Sequence, residues 1–450
     1  MDIFIYLVLG LLIIYIEIKR DRYFTYDHLS IFNFFFLFSY VIAPIFIHIG
    51  GTRDFVNPNL YLGIHYVGGK YTSLIILCSY IIFLLGYYMN NTRQRASNLG
   101  IDIRFSTKIV VIVIPIIFVL LAILLYIYIS QFGGLRETIA LAEDYRNGFI
   151  DPPPYAFVKR AFPINTVILF YSYYKSYLEK GEEYRKFFKI VFFISFMIFL
   201  FLGIIYNSRS FIIIIIGGLY IITSIYNKDY YIKFLLLGVI GGILVLQFGD
   251  PLFGSMSALL NYGYGAFIET FIDIMEHDVS QGFEGIIRNF SHPIVSLEMS
   301  LERSGVDIEF RYFVDFINAL TSIFPKAIFG FERELSITQI NTIYAYGDSI
   351  DMVLPGMLAS FSYSLGVIGV FIGMFIYGLI GGILSEIFKK LYINYKSSLV
   401  FIYILSFTYG SFVFRGDPKI EFQEIFMLTL IIITILTFSK IYSERQYAKI

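Results

Sequence analysis

LPGMLASFSYSLGVIGVFIGMFIYG, Leu354 to Gly378, decides how the chain is read. It opens on Pro355, a residue suited to a helix start. Small residues follow, then two glycines three apart, Gly366 and Gly369, and a final apolar stretch. A run of this length without a charge is a membrane-spanning candidate. It returns the long polar segment Gly249 to Val353 to the membrane. Since nearly everything else is apolar helix of spanning length, that segment is where water-facing chemistry is expected.

Of the 450 residues, 57% are hydrophobic and 15% charged. A chain so apolar cannot hide its side chains in one soluble core and needs lipid as solvent. There is no Trp, so an interfacial belt has to be built from the 38 Tyr, whose rings are apolar and whose tips are polar. Cys78 is the one cysteine, which leaves no intramolecular disulfide and no cysteine-rich metal site. The formal net charge is zero, and the basic residues fall in short clusters between spans. That is no nucleic-acid footprint.

With about 20 apolar residues per crossing, spans are expected near 1–18, 29–49, 71–89, 109–130, 157–174, 187–206, 211–226, 230–248, 355–385, 397–413 and 422–439, about eleven in all. The first run lacks a basic leader and a small-residue cleavage site and ends in KRDR (Lys19 to Arg22), so it reads as a retained span. One side of the resulting topology collects 20 of the 34 Lys and Arg residues, among them Lys19, Arg20, Lys389 and Lys390. The positive-inside rule makes that side cytoplasmic. The long segment is then extracytoplasmic, with the N-terminus outside and the C-terminus inside. The expected fold class is an all-α polytopic membrane protein, one membrane domain over 1–450 with an embedded helical cap at 249–354.

Within the cap, amphipathic helices are expected at Gly265 to Asp278, Ser280 to Ser291, Ile294 to Arg303 and Phe310 to Ile323, with Pro293 as a break between the second and third. Such a cap is expected to lie on the membrane surface over a cavity. Elsewhere, GGLRETIALAEDYRNGFIDPPP (Gly133 to Pro154) reads as a short outward helix, and NSRS (Asn207 to Ser210) as a tight outward turn.

The Leu354 to Gly378 run, with IFPK (Ile323 to Lys326) upstream and FRGD (Phe414 to Asp417) downstream, resembles the Wzy-type polymerases of O-antigen and capsule repeat units. The similarity covers roughly the C-terminal half. It implies a GT-C-like fold and a glycosyltransferase of the bacterial inner membrane. This enzyme would move a growing glycan from undecaprenyl diphosphate onto the next lipid-linked repeat unit. Membrane lipids surround it, a chain-length regulator protein is a conceivable partner, and no metal or cofactor is needed, because arginines serve in a metal's place. An O-antigen ligase shares the donor and the arginine logic. A lipid-oligosaccharide flippase or other transporter is the contrasting class, more often marked by broken or charged helices and paired repeats.

Arg209, flanked by Ser208 and Ser210, sits in a turn at the outer interface. It either snorkels to lipid headgroups or grips a lipid diphosphate through its planar fork; turns of this type recur in the polymerases the chain resembles. Arg415 at the outer end of a span is a second diphosphate candidate, or half of a structural ion pair with Asp417. Glu284, Arg288 and His292 are spaced by four and share one helix face. They form either an ordinary surface ion pair or a site in which Arg288 holds phosphate and His292 or Glu284 takes the acceptor hydroxyl proton. Arg311, beside Glu309, is a third arginine of the cap. The family's pattern of an arginine followed at a fixed distance by a glycine is met by none of these four arginines. EHD (Glu276 to Asp278) has metal-ligand residue types, but adjacent helical positions diverge by about 100°. Asp348 and Asp351 suit helix capping, and Tyr262, Tyr264, Tyr312, Tyr344 and Tyr346 offer flat faces for sugars or are ordinary interfacial tyrosines.

Overall fold

A computed structural model describes residues 2–20, 27–50, 70–89, 107–142, 153–179, 183–206, 210–226, 254–277, 282–321, 335–346, 353–394 and 399–423, with isolated residues besides. Among them the only pairing outside helices is an isolated bridge between Ser304 and Ile308; no strand is present among the described residues. Among the described residues, four helices are long and apolar enough to cross a membrane: His28–Gly50, Thr107–Ser130, Arg185–Ile205 and Met357–Leu391. Helices also occupy the spans expected at 1–18, 71–89, 157–174, 211–226 and 397–413. Those expected at 230–248 and 422–439 lie largely outside the described residues.

The chain divides into two compact units. The first comprises Met1–Ile101, Ser280–Lys390 and Leu405–Gln423. It contains α1 (Asp2–Lys19), α2 (His28–Gly50, with a π-turn at Phe38–Ile42) and α3 (Lys70–Tyr87). The second comprises Asp102–Val279, Leu391–Ile404 and Glu424–Ile450. Its helices are α4 (Thr107–Ser130), α5 (Leu135–Ala140), α6 (Ile164–Tyr173), α7 (Arg185–Ile205), α8 (Ser210–Tyr226), α9 (Met256–Tyr262) and α10 (Tyr264–His277). The first unit continues with α11 (Gly282–Arg303), α12 (Val314–Thr321), α13 (Ile337–Tyr346) and most of α14 (Met357–Asn394). Then comes α15 (Leu399–Arg415), and residues 418–423 are helical again.

The face α1 turns outward shows why lipid is required. Phe4, Leu7, Leu11, Ile14 and Ile18 form one exposed stripe, while Tyr6, Leu9 and Ile13 are buried on the other side. A helix apolar on both faces has no stable home in water. In the second unit α4 exposes Ile112, Ile116, Val119 and Ile123 in the same way, and its inner face packs Leu121 and Tyr128 against Phe162, Leu202 and Ile205.

The return run is not one rod. Leu365 (φ −153°, ψ 29°) and Gly366 (φ 62°, ψ −144°) break α14 into arms at 357–364 and 367–394. A Cβ on Gly369 would stand 2.2 Å from the Phe361 carbonyl oxygen, and one on Gly373 2.4 Å from the Phe361 ring, so the short arm folds back on the long one. A straight helix from Met357 to Leu391, 35 residues, would reach ~52 Å against a hydrocarbon thickness of ~30 Å. The break brings the straight part nearer that thickness.

The glycines of the long arm serve packing, as expected of small residues at membrane helix interfaces. A Cβ on Gly378 would lie 2.2 Å from the Phe83 carbonyl oxygen, and one on Gly86 2.3 Å from that of Phe375, so α3 and α14 touch backbone to backbone. Nearby, Tyr377 and Tyr409 stack at 4.4 Å, and each hydroxyl donates to the other residue's carbonyl.

Two expectations for the cap are overturned. α11 runs unbroken through Pro293, because the ring sits against the turn at Gly356, where a Cβ would come within 2.5 Å of it. That packing outweighs the one backbone hydrogen bond that proline removes. Nor does α11 lie on a surface: Ser291 and every residue from Pro293 to Ser300 are buried, and Ile294, Leu297 and Met299 join the core formed by Phe36, Tyr40 and Met357.

One polar cluster of the first unit brings Arg20 against Asp27 beside His28, whose Nε2 lies 2.8 Å from the Gly381 carbonyl oxygen and whose ring meets Phe388. Arg20 is no solvated loop charge. It donates to Glu17 (2.8 Å), Asp27 (2.6 Å) and Ser30 (2.6 Å), and Glu17 also accepts from Asn33, which in turn accepts from Tyr80. This buried network ties α1, α2 and α3 together at the end expected to face the cytoplasm.

Candidate functional site

Elsewhere in the first unit, two glycine turns lock together. Gly356 (φ 73°) follows Pro355 at the start of the short arm of α14, and Gly416 (φ 65°) follows Arg415 at the end of α15. Both adopt the left-handed conformation that glycine takes without penalty. They are so close that a Cβ on Gly416 would lie 2.1 Å from the Gly356 carbonyl. Gly356 N–H donates to the Arg415 carbonyl (3.3 Å), and Ser360 Oγ donates to the Gly416 carbonyl.

Beneath this joint is a buried polar floor. Asn341 Nδ2 donates to Ser296 Oγ and to the Val353 carbonyl, each at 3.0 Å, while its Oδ1 accepts from the Tyr363 hydroxyl (2.9 Å). Val353 N–H donates to Thr342 Oγ1 (2.9 Å), and Tyr40 OH accepts from Leu358 N–H (3.2 Å). Tyr363 and Leu358 tie the short arm to α13 and α2, and the other bonds join α13 to α11 and to Val353 ahead of the arm. Interlinked buried hydrogen bonds of this kind rigidify what stands on them.

Arg415 stands on it. Its Nη1 lies 3.5 Å from Glu421 Oε1, with the arginine side chain 20% exposed and the glutamate nearly covered. The pairing expected with Asp417 does not occur. Asp417, 2% exposed, accepts instead from Thr338 Oγ1 (2.6 Å) and from Lys419 N–H (2.8 Å). Asp417 therefore fixes the turn, and Glu421 supplies the counter-charge.

Arg311 is committed elsewhere. Its Nε and Nη2 hold both oxygens of Asp315 at 2.5 and 2.8 Å, and Nη2 also reaches the Leu335 carbonyl. The fork that would clasp a phosphate is filled by a carboxylate, so in this conformation Arg311 is a structural arginine. Its backbone does further work: Arg311 N–H and Tyr312 N–H donate to the carbonyls of Tyr363 and Ser364, each at 3.0 Å. They satisfy the open end of the broken helix.

Glu284, Arg288 and His292 share α11. The side chains of Glu284 and Arg288 lie outside the described residues, and His292 is half-buried between the buried Ser291 and Pro293. Arg209, the IFPK motif, Asp348 and Asp351 also lie outside the described residues. Glu276 is exposed on α10, and among the described residues no three His, Cys, Asp or Glu side chains gather as metal ligands do.

Sequence reasoning picked out Arg415 and the glycine series but missed Glu421, Thr338 and Asn341 as the parts that hold the turn. Polar residues in an otherwise apolar chain were the available signal; their pairing across 45 to 79 positions of sequence was not. Comparison with known family models, with characterised proteins and with solved structures finds no match.

Proposed function

We propose that the protein is an oligosaccharide repeat unit polymerase of the Wzy type. In this reading it moves a growing glycan from undecaprenyl diphosphate to the next lipid-linked repeat unit at the outer face of the bacterial inner membrane. The observation that supports it best is Arg415: a guanidinium on a locked turn, partly exposed and facing the nearly covered carboxylate of Glu421. A fixed cation needs no reorganisation when charge develops on a leaving group, and low-dielectric surroundings strengthen its effect.

The chemistry asked of the site is displacement at an anomeric carbon. The bond from that carbon to the diphosphate oxygen breaks, and its electron pair leaves with undecaprenyl diphosphate. The acceptor hydroxyl oxygen forms the new glycosidic bond, and its proton passes to a base. Arg415 is the proposed diphosphate ligand of the first unit, with Arg288 as a second and His292 or Glu284 the proposed base; Arg209 is proposed, separately, as a diphosphate ligand. Arg311 is withdrawn from the diphosphate set because Asp315 fills its fork. A diphosphate reaching Arg415 would compete with Glu421 for it.

A transporter is the second reading, favoured by the broken helix at Leu365 and Gly366, since half-helix ends often line transport sites. Against it, the carbonyl end of the short arm is already occupied by Arg311 and Tyr312 N–H groups. A ligase would use the same donor and differ in acceptor.

The test is glycan length in cells that lack the native gene and express variants at matched level. If Arg209 grips the diphosphate through two parallel bonds, Arg209→Lys fails nearly as badly as Arg209→Ala, because the charge survives and the fork does not. Long glycan at wild-type amount from the Lys variant would end the bidentate role. Single repeat units on lipid A, with ligation intact, mark a polymerase; a failed ligase leaves glycan on its undecaprenyl carrier instead.

A further inference from the structure

Tyr312 (φ 46°) and Phe313 (φ 60°) are consecutive aromatic residues in the left-handed region, a strained arrangement for bulky side chains. The backbone there has a clear task, since Arg311 and Tyr312 N–H groups cap the short arm of α14. Glycine would make the same hydrogen bonds without strain. The rings must therefore account for the residue choice. For Phe313 they do: its ring packs against Phe316 and Phe361.

Tyr312 has no such packing reason. Its side chain is 69% exposed, and its ring contact is the edge of Phe310, 6.3 Å away. Yet its backbone is held. Phe310 covers Gly366 and Gly305, Val314 N–H donates to the Arg311 carbonyl (2.8 Å), and the Arg311 fork on Asp315 fixes the preceding position. Exposed carboxylates, Asp307 and Glu309, lie in the same loop. An exposed aromatic face on a held backbone, in a loop that also carries exposed carboxylates, matches a pyranose ring, whose C–H face stacks on aromatic carbon while its hydroxyls donate to carboxylates.

We propose that Tyr312 is a carbohydrate-stacking platform that receives a pyranose of the acceptor repeat unit; the acceptor role rests on the polymerase reading, and the sugar binding does not. Four variants separate it from a fold-only role and from an interfacial anchor: Tyr312→Gly, Tyr312→Leu, Tyr312→Phe and Tyr312→Trp. The full-length protein in detergent is probed by saturation-transfer NMR with methyl pyranosides of glucose, galactose, N-acetylglucosamine and rhamnose, a readout that needs no turnover.

The wild type is expected to show transfer to at least one of these sugars. Phe and Trp should retain it, and Gly and Leu should lose it by about tenfold in affinity or more, each tenfold being ~1.4 kcal/mol. The Gly variant should at the same time unfold at higher temperature, because its strain is relieved. Loss of sugar binding together with gained stability is a signature that a merely structural tyrosine cannot give. Undiminished transfer in Tyr312→Gly would overturn the proposal. So would undiminished transfer in Tyr312→Leu, which would make the ring a lipid anchor, and so would a wild type that contacts none of the sugars. Binding without chain elongation by the wild type would instead count against the polymerase reading alone.

Discussion

Substituting Gly416 by alanine perturbs the joint that holds Arg415, and the structure sets the size of the effect. Two penalties add. A φ of +65° costs a residue bearing a Cβ about 1–2 kcal/mol. The new Cβ would also sit 2.1 Å from the Gly356 carbonyl carbon and oxygen and 2.6 Å from its Cα, where carbon contacts are normally about 3.5–4.0 Å. Those neighbours are backbone and cannot rotate away, so the two turns must separate by more than about 1 Å, an overpacking cost of about 1–3 kcal/mol. The total is about 2–5 kcal/mol. Gly181 is the control: its φ is +80° and nothing lies within 4 Å of an added Cβ, so Gly181→Ala should pay only the first part. Unfolding by SDS titration followed by circular dichroism compares the two. Glycan elongation by Gly416→Ala should also fall, by about 10²-fold for a displacement of 1 Å at a group that must be placed accurately. Equal stability of the two variants would refute the close apposition, and full activity of Gly416→Ala would refute its role in aiming Arg415.

The other tests are shorter. Asp27→Asn keeps a cap for Ser30 N–H but strips Arg20 of a counter-charge, and breaking a buried pair this way should cost about 3–5 kcal/mol. Burial alone would raise the Asp27 carboxyl; the hydrogen bond and charge of Arg20 more than offset it, so it lies below the usual range. A carboxyl depressed on folding stabilises above its unfolded value of about 3.9, and that stability is lost as pH falls through the lower folded value. Wild type and Asp27→Asn should therefore differ in unfolding midpoint at neutral pH and converge only below about pH 4. Gly378→Ala and Gly86→Ala meet backbone at 2.2 and 2.3 Å and should each destabilise by about 1–3 kcal/mol, while the double variant costs less than the sum because both open the same seam. A reporter fused after Gly305 should score as extracytoplasmic and one after Lys390 as cytoplasmic; the reverse at Gly305 would remove the outer site.

Much of the helical layout was legible because apolar runs of spanning length have few other solutions. α1, α3, α4, α7 and α8 begin and end within a few residues of the spans expected for them. Pro293 misled because its local preference is a break, while the cleft left by Gly356 repays the ring for staying in a helix. The Leu354 to Gly378 run was read for small-residue packing, which holds at Gly378 and Gly373, but its sharp reversal at Gly366 depends on Arg311 and Tyr312 from a distant loop. The α11 segment looked like a surface cap because its sequence is amphipathic, yet its residues from Pro293 to Ser300 are buried and Ser296 pairs with Asn341. At the site, Arg415 announced itself as a charge at a span end, whereas Glu421 lay just ahead of the span expected at 422–439, with nothing to mark it as a partner. The Glu17, Arg20 and Asp27 network was hidden for the same reason: a charged loop motif gives no sign of whether it is solvated.

The central claim is a transfer from lipid diphosphate. Purified protein in vesicles, given lipid diphosphate-linked repeat units extracted from cells lacking the gene, allows released undecaprenyl diphosphate and new glycosidic linkages to be counted in the same sample. The account predicts one released carrier per linkage formed, with both lost together in Arg415→Ala. Repeat units that cross the bilayer with their diphosphate linkage intact, and no carrier released, would contradict it.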